Sequence, residues 1–327
     1  MRRLILILLL VVGLAPGTFV RSPTGPGTID SAITITDLAA REGVTGALKV
    51  TGAWHLRAPR NQYFGGFSAL ALTGPEQLLA GSDRGWALDV PLVQGAPHAA
   101  EAEFAFFARE QRNRFDLIDL EAFSQDPATG QLWVAYENGN YLERLDPDGT
   151  RTLVRPSAMR RWWINSGAET MFRMPDGRHV VIAEGARAEV AKYREGLLFA
   201  GDPVEGAEAD LFNFTSYKDY APADATMLPD GKVLILLRRV ELGTPVKFGS
   251  ALMLADPALI KPGAFWTGSI IAEIAGPELS ENYEGIAYVP GPDETLESGA
   301  LYLISDDNFS VFQRTLVLQL RWRGDAS

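Results

Sequence analysis

The sequence predicts an all-β protein with the architecture of a β-propeller. A strand–turn–strand pattern recurs five times, about 50 residues apart, as in repeat architectures. Most repeats carry two further strand candidates, and the last repeat lacks one strand that the N-terminal segment can supply. Four antiparallel strands per unit form a propeller blade, and such units stack in a ring because none buries both faces alone. We therefore expect five blades, closed by pairing of the N- and C-terminal strands.

The repeats themselves combine strand and turn signals. Their first strands lie in the segments FSALALTG, DLEAFSQ, GAETMFR, ADATML and YEGIAYV. The turns DPATGQ, MPDGRH and LPDGKV follow three of them, where Pro presets one turn residue and Gly accepts a positive φ. The next runs, LWVAY, HVVIA, KVLILL and LYLIS, are short and rich in β-branched and aromatic residues, as buried strands are.

Closure of the ring is the check on the number of blades. The fifth repeat has an inner hairpin and then RTLVLQLRW, which makes three strands, and GALKVTGAWHLR at residues 46–57 can supply the fourth. A sixth blade could lie in residues 28–45 or 186–220. An open β-sandwich or two separate β domains are the alternative folds. The predicted propeller domain spans residues 44–327.

The N-terminus has the pattern of an export signal. Arg2 and Arg3 precede a short apolar run, which then turns small and polar. This predicts a signal peptide at residues 1–21, followed by a linker at 22–43, and a periplasmic or secreted location. An uncleaved N-terminal anchor is the alternative, because no clean A-x-A site follows. We expect no other contact with a membrane, since no later run is long and apolar enough to span one.

Composition excludes several classes of function. The 41 acidic and 30 basic residues give a net charge of -11, which repels phosphate backbones and makes nucleic acid an unsuitable partner. The absence of cysteine excludes disulfide frameworks, zinc fingers and cysteine nucleophiles. The three histidines, His55, His98 and His179, fit no metal-binding spacing. We expect a monomer that acts on a small molecule.

Acidic residues recur at one position of the repeats. Alignment places Ser68, Glu121, Glu169, Asp224 and Glu284 there, near the start of each first strand. First strands line the central channel of a propeller, so these side chains are expected to converge at one mouth. Clustered carboxylates cannot all stay ionised without a counter-charge, and their hard oxygen ligands suit calcium or magnesium. The alternative is a ring satisfied by backbone amides or arginines, without a metal.

A second aligned position follows the second strands, which return to the same mouth. It holds Asp83, Glu137, Glu184, Arg238 and Asp306, with Arg84, Arg239 and Asp307 beside them. Arginine suits capture of phosphate or carboxylate groups. Arg84 and Arg238 are therefore candidates for holding an anionic substrate, and a salt bridge to a ring carboxylate is the alternative for each.

These motifs together resemble a known family. FGGFSALAL with DRGWALDV, DLEAF with YENG, and NYEGIAY with LYLISDDN resemble the exported bacterial phytase-like proteins described by the "esterase-like activity of phytase". The resemblance covers roughly residues 64–320 and implies a β-propeller in the cell envelope that hydrolyses phosphate esters or other esters. By similarity to calcium-dependent propeller phytases, the implied metal ligands are Glu121, Glu169, Asp224, Glu284 and Asp306.

The function expected from these features is calcium-dependent hydrolysis of a small anionic ester or phosphate ester. The metal would polarise the phosphoryl or acyl oxygen and lower the pKa of a bound water, while Glu121 or Glu284 would act as general base. Arg84 and Arg238 would hold the substrate. Two alternatives remain open: a non-catalytic envelope module that binds a ligand or a protein, and a lactonase-like enzyme with one divalent metal in the channel.

Overall fold

In the residues that the structure describes, the chain folds into five sheets arranged as the blades of a β-propeller, with every strand pair antiparallel except β16 (Ala209–Thr215) with β20 (Phe265–Trp266). The computed structural model describes residues 32–39, 42–108, 118–163, 167–186, 193–241, 243, 246–293 and 295–324. The predicted signal peptide lies outside the described residues. Within them, no helix combines the length and the hydropathy that a bilayer span needs.

The strands follow one another from the channel outward in each blade, and the elements are these. Blade 1 contains β4 (Phe67–Gly74), β5 (Gln77–Ser82), β6 (Trp86–Val93), β7 (Ala96–Pro97) and β8 (Glu103–Phe106). Blade 2 contains β9 (Leu120–Gln125), β10 (Leu132–Tyr136), β11 (Tyr141–Leu145) and β12 (Arg151–Val154). Blade 3 contains β13 (Ala168–Arg173), β14 (His179–Ala186), β15 (Tyr193–Phe199), β16 (Ala209–Thr215) and β20 (Phe265–Trp266). Blade 4 contains β17 (Ala221–Met227), β18 (Val233–Glu241), β19 (Lys247–Ala255), β21 (Ser269–Ile274) and β2 (Val44–Gly46). Blade 5 contains β22 (Asn282–Val289), β23 (Ala300–Asp306), β24 (Thr315–Trp322), β3 (Leu48–Arg57) and β1 (Thr34–Asp37). Short 3₁₀ turns lie at Ala99–Glu101, Ser157–Met159, Pro203–Glu205 and Pro257–Leu259.

Both termini contribute to blade 5, as the sequence predicts. The C-terminal β24 pairs antiparallel with the N-terminal β3, with Val317 opposite Trp54 and Leu318 opposite Ala53. The five-blade prediction with mixed termini is therefore confirmed. In the described residues, the two segments that could have formed a sixth blade instead add β1 and β2 to the outer edges of blades 5 and 4 and supply strands of blade 3. Because β1 pairs with β3, the segment expected to be a linker contains a strand.

The hydrophobic core is divided among the contacts between neighbouring blades. Five clusters of buried side chains form it, and each joins two blades that are adjacent in the ring. Leu236 of blade 4 and Ile286 of blade 5 share one cluster, for example, and Leu56 of blade 5 and Phe67 of blade 1 share the next. Burial of apolar surface is the main favourable term in folding. Ring closure completes this core because it buries the outer faces of blades 1 and 5 against each other.

Candidate functional site at the acidic mouth of the channel

Each inner strand has a β-bulge near its start, and the bulge leaves one residue without a partner on the neighbouring strand. The pairing of β4, β9, β13 and β22 with their neighbours skips Ser68, Glu121, Glu169 and Glu284. A bulge leaves one residue unpaired and re-aims its side chain. The three acidic residues thus owe their common position to the same local irregularity, at the mouth where the inner strands begin.

Blade 4 departs from the predicted alignment by one residue. Its bulge skips Ala223, and Asp224 pairs with Leu236 instead. The prediction that Asp224 occupies the position of Glu121 is therefore wrong. The sequence shows this difference in the distance to the following turn. Asp224 is one residue closer to its turn proline, Pro229, than Glu169 is to Pro175.

Asp224 lies deeper in the channel and is bound to the backbone. Its Oδ1 accepts the N–H of Ala225 at 2.8 Å, its Oδ2 accepts the N–H of Ile286 at 2.9 Å, and the N–H of Leu70 also donates to the carboxylate. Inner strands have an unpaired edge facing the channel, and buried N–H groups need partners. These contacts give Asp224 a structural role that ties blade 4 to blades 5 and 1. Its prediction as a metal ligand gains no support from them.

Among the residues that the structure describes, two groups of three carboxylates converge at the mouth. Asp119, Glu121 and Glu137 form one, and Glu137, Glu169 and Glu184 form the other. Within each group, one oxygen of every carboxylate lies within 4.8 Å of the others. Glu137 belongs to both groups, so one carboxylate could bridge two cations. We refer to these five residues as the acidic pair of triads.

Arg238 provides the counter-charge on one side of the mouth. Its Nη2 lies 2.7 Å from Glu184 Oε1 and 3.0 Å from Glu169 Oε1, and its Nη1 lies 2.8 Å from Glu284 Oε1. The Arg238 side chain is 20% exposed. The salt-bridge alternative for Arg238 is thus the one the structure adopts. Glu284 also accepts a hydrogen bond from Asn282 Nδ2 at 2.7 Å. Arg238 and Glu284, which were both predicted to be catalytic, are therefore held in place by other side chains.

The remaining predicted residues lie on the blade 1 and blade 5 side of the mouth. Asp306 accepts the N–H of Asn308 at 2.6 Å. The charges of Glu284, Asp83 and Asp307 act on Asp306. Arg84 acts on Asp83 and Asp307 as their neighbouring cation, and its guanidinium lies 3.2 Å from the centre of the Phe309 ring. In the described part of the chain, Glu284 and Asp306 belong to neither triad, and their roles as metal ligands stay predictions.

Gly65 and Gly66 let the backbone pass close to this side of the mouth. Their φ angles are +127° and +64°, a region that favours glycine. A Cβ at Gly65 would lie 2.5 Å from Asp307 Oδ1. The same carboxylate oxygen accepts the N–H of Gly66 at 3.2 Å, so the close approach is part of how Asp307 is held.

Five carboxyl groups of the mouth have a raised pKa. Burial, followed by neighbouring acids, raises the pKa of Asp83 to about 7 and of Glu137 to about 8, and burial raises that of Asp119 to about 6. Burial is also the largest cause that raises the pKa of Glu121 and Glu169 well above the ordinary value, although Arg238 opposes it at Glu169. These groups therefore favour either bound protons or a further cation.

The balance of charge at the mouth suits a hard cation. Three arginines, Arg84, Arg194 and Arg238, act on these carboxylates among the described residues. The acidic side chains are Asp83, Asp119, Glu121, Glu137, Glu169, Glu184, Glu284, Asp306 and Asp307. Oxygen-only donors in excess of cations match the preference of calcium and magnesium. The donor set therefore fits the divalent cation that the sequence predicts.

Sequence reasoning does not identify three members of the triads. It places Glu137 and Glu184 only at the second aligned position and gives Asp119 no role. Asp119 lies two residues before Glu121, at the start of a strand where alternate residues share a side. This spacing is the signal that could have identified it. No comparable signal predicts that Glu137 reaches both triads, because that depends on the angle between blades 2 and 3.

Comparison with known proteins places these features in a family context. The family model for phytase-like proteins, described as "esterase-like activity of phytase", matches residues 62–309. No curated protein matches the chain.

Several solved structures are distantly similar. A luciferin-regenerating enzyme is 12% identical with a TM-score of 0.44, and the match covers 94% of each chain. The β-propeller domain of Cps50 (Swd1) from Myceliophteria thermophila is 10% identical with a TM-score of 0.39, over 84% of this chain and 100% of that one. Hydrazine synthase of Kuenenia stuttgartiensis is 13% identical with a TM-score of 0.37 over 74% of this chain, which spans 56% of the length of that chain. Likenesses this distant carry no functional inference.

Proposed function

Since the chain belongs to the phytase-like family, we propose that it is a calcium-dependent hydrolase of small esters or phosphate esters, with its site at the acidic mouth. The observation that supports this most is the acidic pair of triads, in which Glu137 is common to both groups. Asp119, Glu121 and Glu137 would hold the first ion. Glu169 and Glu184 could join Glu137 around a second, although Arg238 already binds both.

The bound ion would neutralise part of the acidic mouth and polarise the oxygen of the scissile ester. Glu121 is our candidate for the general base, because it lies in the first triad, whereas Glu169, Glu184 and Glu284 are already bonded to Arg238. In its ionised form it can accept a proton from the attacking water, and it can return that proton to the leaving oxygen when the C–O or P–O bond breaks.

The arginines have different roles in this proposal. Three carboxylates already balance Arg238, so we assign it to positioning Glu284 and Glu169 rather than to holding substrate. Arg84, which Phe309 supports from one side, is the candidate for an anionic substrate group. An excess of carboxylates disfavours polyanions. We therefore expect substrates with at most one or two negative charges.

We also propose that the protein is exported as a monomer to the periplasm or the medium. Arg2, Arg3 and the apolar run that follows support export. N-terminal sequencing of the protein recovered from each cell fraction tests it. A mature N-terminus near residue 22 is expected, whereas an intact Met1 in the membrane fraction would favour the anchor.

Calcium titration of the full, chelator-stripped chain by calorimetry tests the site. We expect saturable binding, with at least a tenfold loss of affinity in Glu137→Gln, since Glu137 serves both triads. Glu273→Gln is the matched control, because Glu273 lies in blade 4 and bonds Tyr217 instead. Equal affinity in both variants, or no binding up to millimolar calcium, would overturn the metal site.

Hydrolysis is measured separately, with p-nitrophenyl acetate, p-nitrophenyl phosphate and a lactone. Calcium-dependent turnover of one of them, lost in Glu121→Gln while calcium still binds, is the expected result. A lactone as the sole substrate would favour the lactonase-like alternative. Calcium binding without turnover of any of the three would overturn the hydrolase and favour a binding module.

A further inference from the structure

The channel opens into a second cavity on the face opposite the acidic mouth. Its volume is about 470 Å³, which lies within the range of small-molecule sites. Each of the five inner strands contributes a large apolar side chain to its wall, namely Leu72, Phe123, Phe172, Met227 and Ile286. We call this cavity the apolar well.

Asp224 separates the apolar well from the acidic mouth. The three residues whose N–H groups donate to its carboxylate, Leu70, Ala225 and Ile286, all line the well. From these residues the strands run outward to the opposite rim. The well therefore begins where the Asp224 contacts end, and a ligand in it would not reach the triads.

The polar side chains of the well are already paired with protein atoms. Ser124 Oγ accepts the N–H of Arg173 at 2.9 Å, and the Arg173 guanidinium lies 3.1 Å from Asp126. Gln125 Nε2 donates to the carbonyl of Thr73 at 3.5 Å. A charged ligand would have to displace these partners, and burying a charge without a partner is costly. The wall therefore suits an uncharged molecule.

The rim of the well has the same apolar character. Turn prolines from four blades, Pro127, Pro175, Pro229 and Pro290, stand exposed around it. Proline lacks a backbone N–H, so the rim presents hydrocarbon where other turns would present donors. Concave, mostly apolar cavities with few polar groups are the usual form of ligand sites.

We propose that the apolar well binds a small uncharged organic molecule with an apolar body, independently of the acidic mouth. A cavity of this volume, walled by every blade and open at one end, offers such a molecule a surface against which its apolar body can be buried. This inference goes beyond the proposed hydrolase and does not depend on it.

Fluorescence titration of the full chain with N-phenyl-1-naphthylamine tests the proposal. We expect saturable binding of one molecule per chain. Leu72→Trp and Met227→Trp, on opposite sides of the well and both only partly buried, should each fill it and weaken binding about tenfold or more, which is 1.4 kcal/mol or more. Leu259→Trp is the control, because Leu259 is 63% exposed and lies outside the well.

The other outcomes are equally clear. Absence of saturable binding would overturn the proposal, and so would equal affinity in the control and in whichever filling variants keep the circular dichroism of the parent. Two filling variants in different blades keep the test valid if one fails to fold. Glu137→Gln should bind the probe as the parent does, so that loss of the hydrolase hypothesis and loss of this one are distinguishable.

Discussion

Replacement of Arg238 by methionine should destabilise the metal-free protein by about 3–5 kcal/mol at pH 7. The guanidinium contacts Glu169, Glu184 and Glu284 at 2.7–3.0 Å. Each ion pair contributes about 4 kcal/mol of attraction at the effective dielectric of protein sites. Desolvation of the ions offsets much of the sum, but breaking a buried pair typically costs about 3–5 kcal/mol because the remaining charges lose their partner. This is a large part of the roughly 5–15 kcal/mol that stabilises a folded protein.

Urea unfolding followed by tryptophan fluorescence, with chelator present, measures this loss. The neighbouring Arg239→Met is the matched control. Arg239 pairs with Asp219 and Glu241, which are 71% and 48% exposed, and exposed pairs contribute about 1 kcal/mol or less. Two further conditions sharpen the comparison. The deficit of Arg238→Met should shrink at pH 5, where protonating a carboxyl costs about 2.7 kcal/mol less than at pH 7, and calcium should stabilise this variant more than the parent. A loss of unfolding free energy below 1 kcal/mol, or one equal to that of Arg239→Met, would refute the reasoning that Arg238 stabilises the carboxylates of the mouth.

Three other predictions concern the channel and its mouth. Asp224→Asn should lower the free energy of unfolding by about 1–3 kcal/mol, because its new NH₂ group would face backbone N–H donors. Calcium affinity should not change. The control is Asp210→Asn at an exposed position, which should alter neither the urea unfolding nor the calcium affinity measured by calorimetry. Gly65→Ala should destabilise more than Gly206→Ala in thermal unfolding, since both have positive φ but only the Cβ at Gly65 meets a neighbour; equal losses would mean that backbone strain alone acts there. The metal-free protein should lose stability as the pH rises from about 5 to about 8, because the folded state retains protons that the unfolded state releases. Glu137, with its pKa raised from 4.5 to about 8, contributes at most about 5 kcal/mol of this change. A stability that does not vary with pH in chelator, or that varies equally in saturating calcium, would contradict the prediction.

The architecture was predictable because it depends on patterns that each repeat carries locally. Turn prolines and glycines mark the hairpins, and short apolar runs mark the strands. The closing strand was predictable by elimination, since the last repeat is one strand short. β1 and β2 were not predicted, because outer strands are half exposed and their sequence resembles that of a polar linker.

The site was predictable only in part, because its details depend on register and on angles between blades. Glu121, Glu169 and Glu284 share a position that sequence spacing identifies. Asp224 does not share it, because the bulge in blade 4 falls one residue earlier, at Ala223. A one-residue change of register exchanges the two faces of a strand, so an alignment guided by residue type alone gives such a residue the wrong surroundings.

The same residue explains how one narrow channel can have two ends of opposite character. The inner strands all run from the acidic mouth to the apolar well, so each end collects the residues of one end of every strand. Asp224 accepts hydrogen bonds from backbone amides of three blades and so closes the space between the two ends. Without it, water could connect a cluster of carboxylates to an apolar cavity, and the raised pKa of Glu137, which depends mainly on burial, would fall. A fall in the pH at which Asp224→Ala loses stability, relative to the parent and to the isosteric Asp224→Asn, is therefore the expected sign that this residue separates the two sites.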